Sequence, residues 1–558
     1  MKDNISSSRI PHPQPFSTEA EKGDVVFEEY RPPPLLPQWR GGWVVRTYER
    51  FITPSIIILA SVVVFLLYAP VFSYGFQAFD DDLLVFTNPI VVHPSFPMLH
   101  RAFTTYDPEL YVPLTLVSYQ IDSLIGSMRP EVFHTTNIFL HLLTGLLVMW
   151  WLSLLLKPRF LSVIVGLLFL VHPINIETVA WIAARKDLLS GCFAVATLLT
   201  YTFALQKSDK RLYWLSIELF ALALLAKASV VTLPALLLCI DLIRGRRITW
   251  SVLREKIPFA FLSALFMVIA MAGKANTSHT SAFTALLFSG QATALTLWHV
   301  IWPMHLSVLY PYEGMITVRN LWLTLPTIGL WTIALGALFW KRVRFIALWL
   351  WFFLIALVPS YFTVMKAGHA YITSDRYGYI GLIGLFTLFT FGVHHISRSL
   401  RTSLQIVILT FIIAVLSILT RLQIPVWENG VTLFTQALSQ APRSLIALNN
   451  RAQSLMLQKR YSEAESDLRR GIEIDPEFHQ LHVSLAELLQ KQGKNDLALK
   501  EYLKALSLDP MDAESHLAIG NYFRAIGDDS EAKAAYSNAY LLNPALIEKK
   551  LETAGYGL

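Results

Sequence analysis

Three adjacent carboxylates, Asp80-Asp81-Asp82, stand just past the first long apolar run of the chain. Charges this close repel, so at least one is held with a raised pKa or shares a cation. Asp80 or Asp81 is a candidate general base toward a hydroxyl. All three, Asp80, Asp81 and Asp82, are candidate ligands for a hard divalent metal such as Mg or Mn. An acidic juxtamembrane loop weighs equally, although Asp and Glu contribute little to topology. A second group begins where His172-Pro173-Ile174-Asn175-Ile176-Glu177 closes one apolar run and Arg185-Lys186-Asp187 opens the next. Ionisable residues at membrane depth are expensive and are functional candidates. Positive charge is disfavoured in short outer loops, so Arg185 and Lys186 call for an anion. A lipid phosphate would supply it, held by the guanidinium fork of Arg185 and the point charge of Lys186. The alternative is pairing with Glu177 and Asp187 in a structural network. Lys227 and the run Asp375-Arg376-Tyr377 each add one cation on the same side, although Lys227 could equally snorkel to the headgroups. His134, Asn137 and His141 recur at helical spacing, where bonding between helices is the favoured reading for His141.

The elements that would carry these groups are membrane helices. The chain has 558 residues, 54% hydrophobic and 15% charged, with mean hydropathy +0.47. Soluble domains run nearer a quarter charged, so much apolar surface must face something other than water. The net charge of +6 is spread as punctuation between apolar runs, with no basic patch that would suit nucleic acid. Cys192 and Cys239 lie in apolar runs and read as buried thiols.

Residues 1–50 are polar and Pro-rich and read as a disordered cytoplasmic segment without a signal peptide. Arg46 and Arg50 precede the first apolar run and place the N-terminus inside. Walking the basic stops from there gives about eleven to thirteen crossings over 51–422, a first outer loop over 74–133, and an emergence outside at Arg421. Segment 282–312 fits this walk as a re-entrant or interfacial helix pair. After a connecting half-repeat at 423–444 the composition turns charged. Pro442, Pro476, Pro510 and Pro544 recur every 34 residues, as do Ala464, Ala498 and Ala532, and Gly493 and Gly527. That period is the tetratricopeptide signature. It predicts three repeats over 445–546, closed by a capping helix at 547–558. The fold class expected is all-α, a polytopic helical bundle followed by an α-solenoid.

The order of these segments resembles a known family. Phe79-Asp80-Asp81, Tyr111-Val112-Pro113-Leu114-Thr115, Phe133-His134-Thr135-Thr136-Asn137 and His172–Val179 come first. Ala184-Arg185-Lys186-Asp187-Leu188-Leu189, Lys227-Ala228-Ser229 and Asp375-Arg376-Tyr377-Gly378-Tyr379 follow. Together they are similar to the transmembrane and tetratricopeptide-repeat O-mannosyltransferases and their bacterial relatives. The resemblance implies a GT-C type membrane glycosyltransferase that takes sugar from a polyprenyl-phosphate donor, inverts the anomeric carbon and modifies protein hydroxyls. It implies a base at Asp80 or Asp81; the charges themselves make Arg185, Lys186, Lys227 and Arg376 candidates for the donor-phosphate site. His134, His172, Glu177, Asp187, Asp375 and Tyr377 would support that site, and Asn450 in the repeat groove would bind the acceptor. Membrane lipids and an acceptor or partner protein are the expected partners. Three repeats are few for the animal members, which favours a bacterial inner membrane with periplasmic repeats, or endoplasmic reticulum with lumenal repeats for a eukaryote. The chain departs from the family at Val112, where Arg is common, and at Ala228-Ser229-Val230, where Glu-x-Gly is common. An O-antigen-ligase-like or oligosaccharide transferase, and a non-enzymatic membrane scaffold, are the competing readings.

Overall fold

The computed structural model of the chain describes residues 53–77, 79–106, 110–273, 282–312, 325–340, 343–363, 365–366, 369–397 and 399–544. The expected N-terminal segment 1–50, the outer loop 274–280 and the cap at 547–558 lie outside the described residues. The protein is an all-α membrane bundle with a solenoid tail, apart from a two-residue antiparallel ladder of Met365–Lys366 with His369–Ala370. Four described helices are long and apolar enough to cross a membrane: Pro130–Ser153, Ile182–Lys207, Arg344–Thr363 and Thr402–Trp427. Shorter apolar helices, among them Pro54–Leu67, Ile257–Gly273 and Leu382–Ile396, pack beside them. The Ile182–Lys207 helix is the central pillar, with 78% of its apolar window buried, whereas Thr402–Trp427 is peripheral at 11%. Gly384 lets two helices meet: a Cβ there would lie 2.7 Å from the carbonyl oxygen of Trp349.

Phe160–Val171 and Pro173–Ala180 form one path bent by 53°. Pro173 makes the bend, because it has no N–H to donate and excludes the preceding residue from helical geometry. His172 accordingly sits at ψ 132°. Its Nδ1 accepts the Ile174 N–H and caps the next turn. Among its described residues, the stretch expected as the first outer loop carries three α-helices, Pro89–Val92, Phe96–Thr104 and Pro113–Gly126, each with proline in its first turn, where the missing N–H is harmless.

The helix pair expected over 282–312 does not form. Ala282–Ile301 is a single helix, and the chain after it runs without helix to a bridge between Pro311 and Tyr371. Pro303 and Pro311 bracket a stretch too short to repay helix nucleation.

In the tail, helices pair as Leu445–Leu457 with Tyr461–Ile474, His479–Lys491 with Asn495–Leu508, and Ala513–Ala525 with Asp529–Leu542. Ala464, Ala498 and Ala532 are buried, and Leu468 and Tyr502 fill equivalent core positions. Gly493 and Gly527 turn between helices at φ +76° and +85°. The equivalent residue of the first repeat is Lys459, at φ +60°. A side chain in that conformation costs about 1 kcal/mol or more. Lys459→Gly is therefore expected to raise the thermal unfolding midpoint of the repeat array, a gain readable on the solubilised protein.

The second repeat also carries a pH-dependent pair. His482 Nδ1 lies 2.7 Å from Glu501 Oε2. The hydrogen bond to Glu501 raises the imidazole above its ordinary 6.5, and the same bond lowers Glu501 below 4.5. The His482 contribution is complete below about pH 6.5 and fades as pH rises through the folded value. The Glu501 contribution is complete above about pH 4.5 and fades as pH falls through its folded value. The array should be more stable near pH 5.5 than at pH 8, and His482→Gln should flatten that difference in thermal melts.

Candidate functional site

The central helix opens with Arg185-Lys186-Asp187, preceded by the short turn Ile182–Ala184. This opening turn places consecutive residues in different environments. Arg185 points inward and is fully buried. Its Nε donates to Asn137 Oδ1 at 2.8 Å, Nη2 to the Phe133 carbonyl at 2.6 Å, and Nη1 pairs with Asp122. Its guanidinium also lies 4.6 Å from the Tyr119 ring centroid. Arg185 is thus corrected from a phosphate ligand to a structural tie among three helices, since its donors are spent on the protein. Val112, where the resembled family often has Arg, is a buried apolar residue just ahead of Pro113–Gly126.

Lys186, Asp187, Lys227, Glu177, Arg376 and Tyr377 do come together. Lys227 Nζ contacts Asp187 Oδ1 at 2.5 Å and faces the Tyr377 ring. Arg376 pairs through Nη1 with Glu177 and donates to Ser374 Oγ at 2.7 Å, while Ser374 Oγ donates to Glu177 Oε1 at 2.6 Å. The Arg376 guanidinium lies over Trp181 at 4.7 Å and Tyr377 at 5.0 Å. Lys186 lies over the same Trp181 and within electrostatic range of Lys227 and Arg376. Three cations and two carboxylates thus surround an aromatic floor in the low-dielectric end of the bundle.

The carboxylate run splits in two. Asp80 sits at φ +62°, a left-handed conformation that Asp tolerates better than most residues, and its side chain is 44% exposed. Its Oδ2 lies 3.9 Å from Lys186 Nζ. The twist turns Asp81 the other way, fully buried, with Oδ2 accepting the Gln77 N–H at 2.8 Å and Oδ1 the Ala183 N–H at 2.7 Å. Burial pushes the Asp81 carboxyl up to about 8, against the pull of those two amides. Asp81 therefore fastens the first loop to the head of the central helix and has no oxygen left for a substrate. Of the two, Asp80 is half-exposed and Asp81 is buried. Asp82 opens a separate turn, Asp82–Phe86. The three carboxylates do not converge, and among the described residues no group of three or more His, Cys, Asp or Glu forms a metal site.

Other expected positions are supporting ones. His172 Nε2 lies 3.1 Å from the Val300 carbonyl, His134 is buried against the Tyr74–Gly75 backbone, and His141 lies between Tyr379 and the Leu170 carbonyl. Asp375 does not face a ligand: its oxygens bond His299 Nδ1 and the Tyr310 hydroxyl, both at 2.8 Å. His299 and Tyr310 were not legible as partners, because neither belongs to a pattern. Asn450 spends one of the two protons of its amide NH2 on its own helix, at the Ile446 carbonyl 2.9 Å away.

The repeats dock on this same end. Gln77 Nε2 donates to the Trp427 carbonyl at 3.0 Å, Trp427 stacks on Trp181, and Phe79 meets both Trp181 and Phe434 of the Gly430–Gln440 helix.

Fold and site together define an integral membrane protein with a charged cluster at the bundle end that carries a tetratricopeptide array. Models described as TPR repeat and tetratricopeptide repeat match residues 488–524 and 427–477. In sequence the chain is similar to protein O-mannosyl-transferases. It is 26% identical over 216 residues to TMTC3 of Homo sapiens (35% of this chain, 23% of the relative). It is 34% identical over 155 residues to TMTC4 of Homo sapiens (24% and 21%). It is 30% identical over 187 residues to Tmtc1 of Drosophila melanogaster (32% and 21%). The chain thus spans less than a quarter of the length of these relatives. Among solved structures, an Archaeoglobus fulgidus oligosaccharyltransferase tethered with an acceptor peptide superposes loosely, with TM-score 0.38 and 12% identity over 75% of this chain and 59% of that one.

Proposed function

We propose that the protein is a membrane glycosyltransferase that moves a sugar from a polyprenyl-phosphate carrier to a Ser or Thr hydroxyl of a protein on the extracytoplasmic side. The observation that carries this is the half-exposed Asp80 carboxylate beside Lys186, at the edge of the Lys186, Lys227 and Arg376 cluster. Asp80 takes the proton of the acceptor hydroxyl as its oxygen bonds the anomeric carbon. The bond from that carbon to the phosphate oxygen breaks on the opposite face, which inverts the centre. The electron pair leaves with the phosphate, and Lys186 and Lys227, with the field of Arg376 behind them, stabilise that charge. Exclusion of water strengthens these contacts. The names of the similar proteins, protein O-mannosyl-transferases, support a sugar donor and a protein acceptor. The tetratricopeptide array, docked through Trp427 and Phe434 beside the site, would bring the acceptor within reach.

The test is release and mass analysis of Ser- and Thr-linked hexose from envelope and secreted proteins of cells with the wild-type chain, with none, or with Lys186→Gln and Lys227→Gln together. Hexose lost in both the null and the variant supports transfer by this site. Hexose kept in the variant and lost in the null favours a scaffold for another transferase.

A further inference from the structure

We propose that Phe434 and Gln77 are positioning residues for Asp80, so that the segment bearing the repeats acts in the chemical step as well as in bringing the acceptor; this rests on the glycosyltransferase reading above. Asp80 does not orient itself. Its side chain is 44% exposed, and Lys186 Nζ at 3.9 Å is too far for a hydrogen bond. The direction of the carboxylate is therefore set by its backbone, which sits at φ +62°. Such a conformation costs a residue other than glycine free energy and persists only where the surroundings fix it.

Two bodies supply that fixing. From the bundle, the Trp181 indole N–H donates to the Phe79 carbonyl at 3.0 Å, and the Phe79 ring stacks on Trp181 at 5.0 Å. From the repeat-bearing segment, buried Phe434 meets the same Phe79 ring edge-on at 5.4 Å. Gln77 joins the two. Its backbone N–H donates to Asp81 Oδ2 at 2.8 Å, while its side-chain Nε2 donates to the Trp427 carbonyl at 3.0 Å. Both chain neighbours of Asp80 are thus held, one directly and one through Gln77, by residues that lead into the repeats. A flexible tether would suffice to carry an acceptor. Here the segment is instead pinned on its other side too, where Gln423 Nε2 and Gln436 Nε2 donate to the Leu306 carbonyl at 3.0 and 3.3 Å. A base displaced by about 1 Å can lose about 10²-fold in rate, so loosening either brace slows proton removal with Asp80 still in place.

The experiment measures transfer by purified full-length protein in detergent to a peptide rich in Ser and Thr, from whichever of polyprenyl-phosphate mannose, glucose and galactose the wild type uses. Phe434→Leu, and separately Gln77→Met, which keeps the backbone N–H for Asp81, are each made in the wild type and in Asp80→Asn. In the wild type each is expected to lower kcat about 10- to 100-fold, with donor and acceptor KM within about twofold of their original values. In Asp80→Asn each should change kcat by less than about twofold, because the group it positions is no longer a base. A merely structural role lowers kcat by the same factor in both backgrounds, and a role in acceptor capture alone raises the acceptor KM with kcat kept. Either result overturns the proposal. Each cycle decides by itself should the other variant fail to fold, which unfolding midpoints report. Equal factors in the two backgrounds, with Asp80→Asn slow, remove this inference alone. Full transfer by Asp80→Asn, or no transfer from any hexose carrier, removes the underlying reading with it.

Discussion

Asp80→Asn is expected to fold like the wild type and to transfer sugar about 10²- to 10⁴-fold more slowly, the usual contribution of a positioned base. Asp81→Asn is expected to fail for a different reason. Asp80 is half exposed with only a distant lysine, so an amide there removes proton acceptance and disturbs little. Asp81 accepts two backbone N–H bonds while fully buried. Above about pH 8, where the Asp81 carboxyl is ionised and both oxygens accept, an amide offers only one oxygen, so its NH2 must face either the Gln77 or the Ala183 donor. One buried donor is then unsatisfied, at about 1–3 kcal/mol. The first loop would loosen from the Ile182–Ala184 turn, and with it the Trp181 shelf whose indole N–H donates to the Phe79 carbonyl at 3.0 Å. Single-turnover transfer and thermal melts on the two variants separate these outcomes. Normal melting with lost transfer is expected for Asp80→Asn, and a lowered midpoint for Asp81→Asn. An Asp80→Asn protein with full transfer would remove the base from the mechanism.

The difference between these neighbours marks where the sequence stops being informative. Apolar runs, basic stops and the 34-residue period specify a helical bundle and a solenoid because each is a repeating, local consequence of burial. The positions Lys186, Lys227 and Arg376 could be grouped because charge at membrane depth is costly wherever it occurs. What cannot be read is direction. Asp80 and Asp81 differ by one left-handed residue, and Arg185 and Lys186 by one step around a helix. In each pair one residue joins the charged cluster and the other is locked into the frame. The same limit applies to Arg246, which reads as a basic stop. It is tied to Asp241 and Glu255 at 2.8 and 2.7 Å, with Lys256 Nζ 2.7 Å from Asp241. No periodicity announces that network, since its members are brought together only by tertiary packing.

Arg185→Met carries the second large expectation: a loss of about 3–5 kcal/mol of stability, enough to cut the yield of folded protein sharply. The substitution keeps much of the side-chain volume and removes the charge. It leaves Asp122 buried without its cation, with the Thr136 hydroxyl at 2.7 Å as a remaining partner. It also leaves the Phe133 carbonyl and Asn137 Oδ1 without their donors. Most of the loss comes from the stranded carboxylate rather than from the pair itself, because taking two charges out of water offsets much of their attraction. Arg185→Met combined with Asp122→Leu should therefore recover a large part of the stability, and the two losses should be far from additive. Melting curves on the wild type, both singles and the double provide that cycle. If Arg185→Met instead melts normally and loses transfer, Arg185 returns to the phosphate site. A destabilised single with a rescued, active double fixes it as the tie that holds the Pro113–Gly126 and Pro130–Ser153 helices to the head of the central helix, leaving the proposed donor phosphate to Lys186, one step further round, and Lys227.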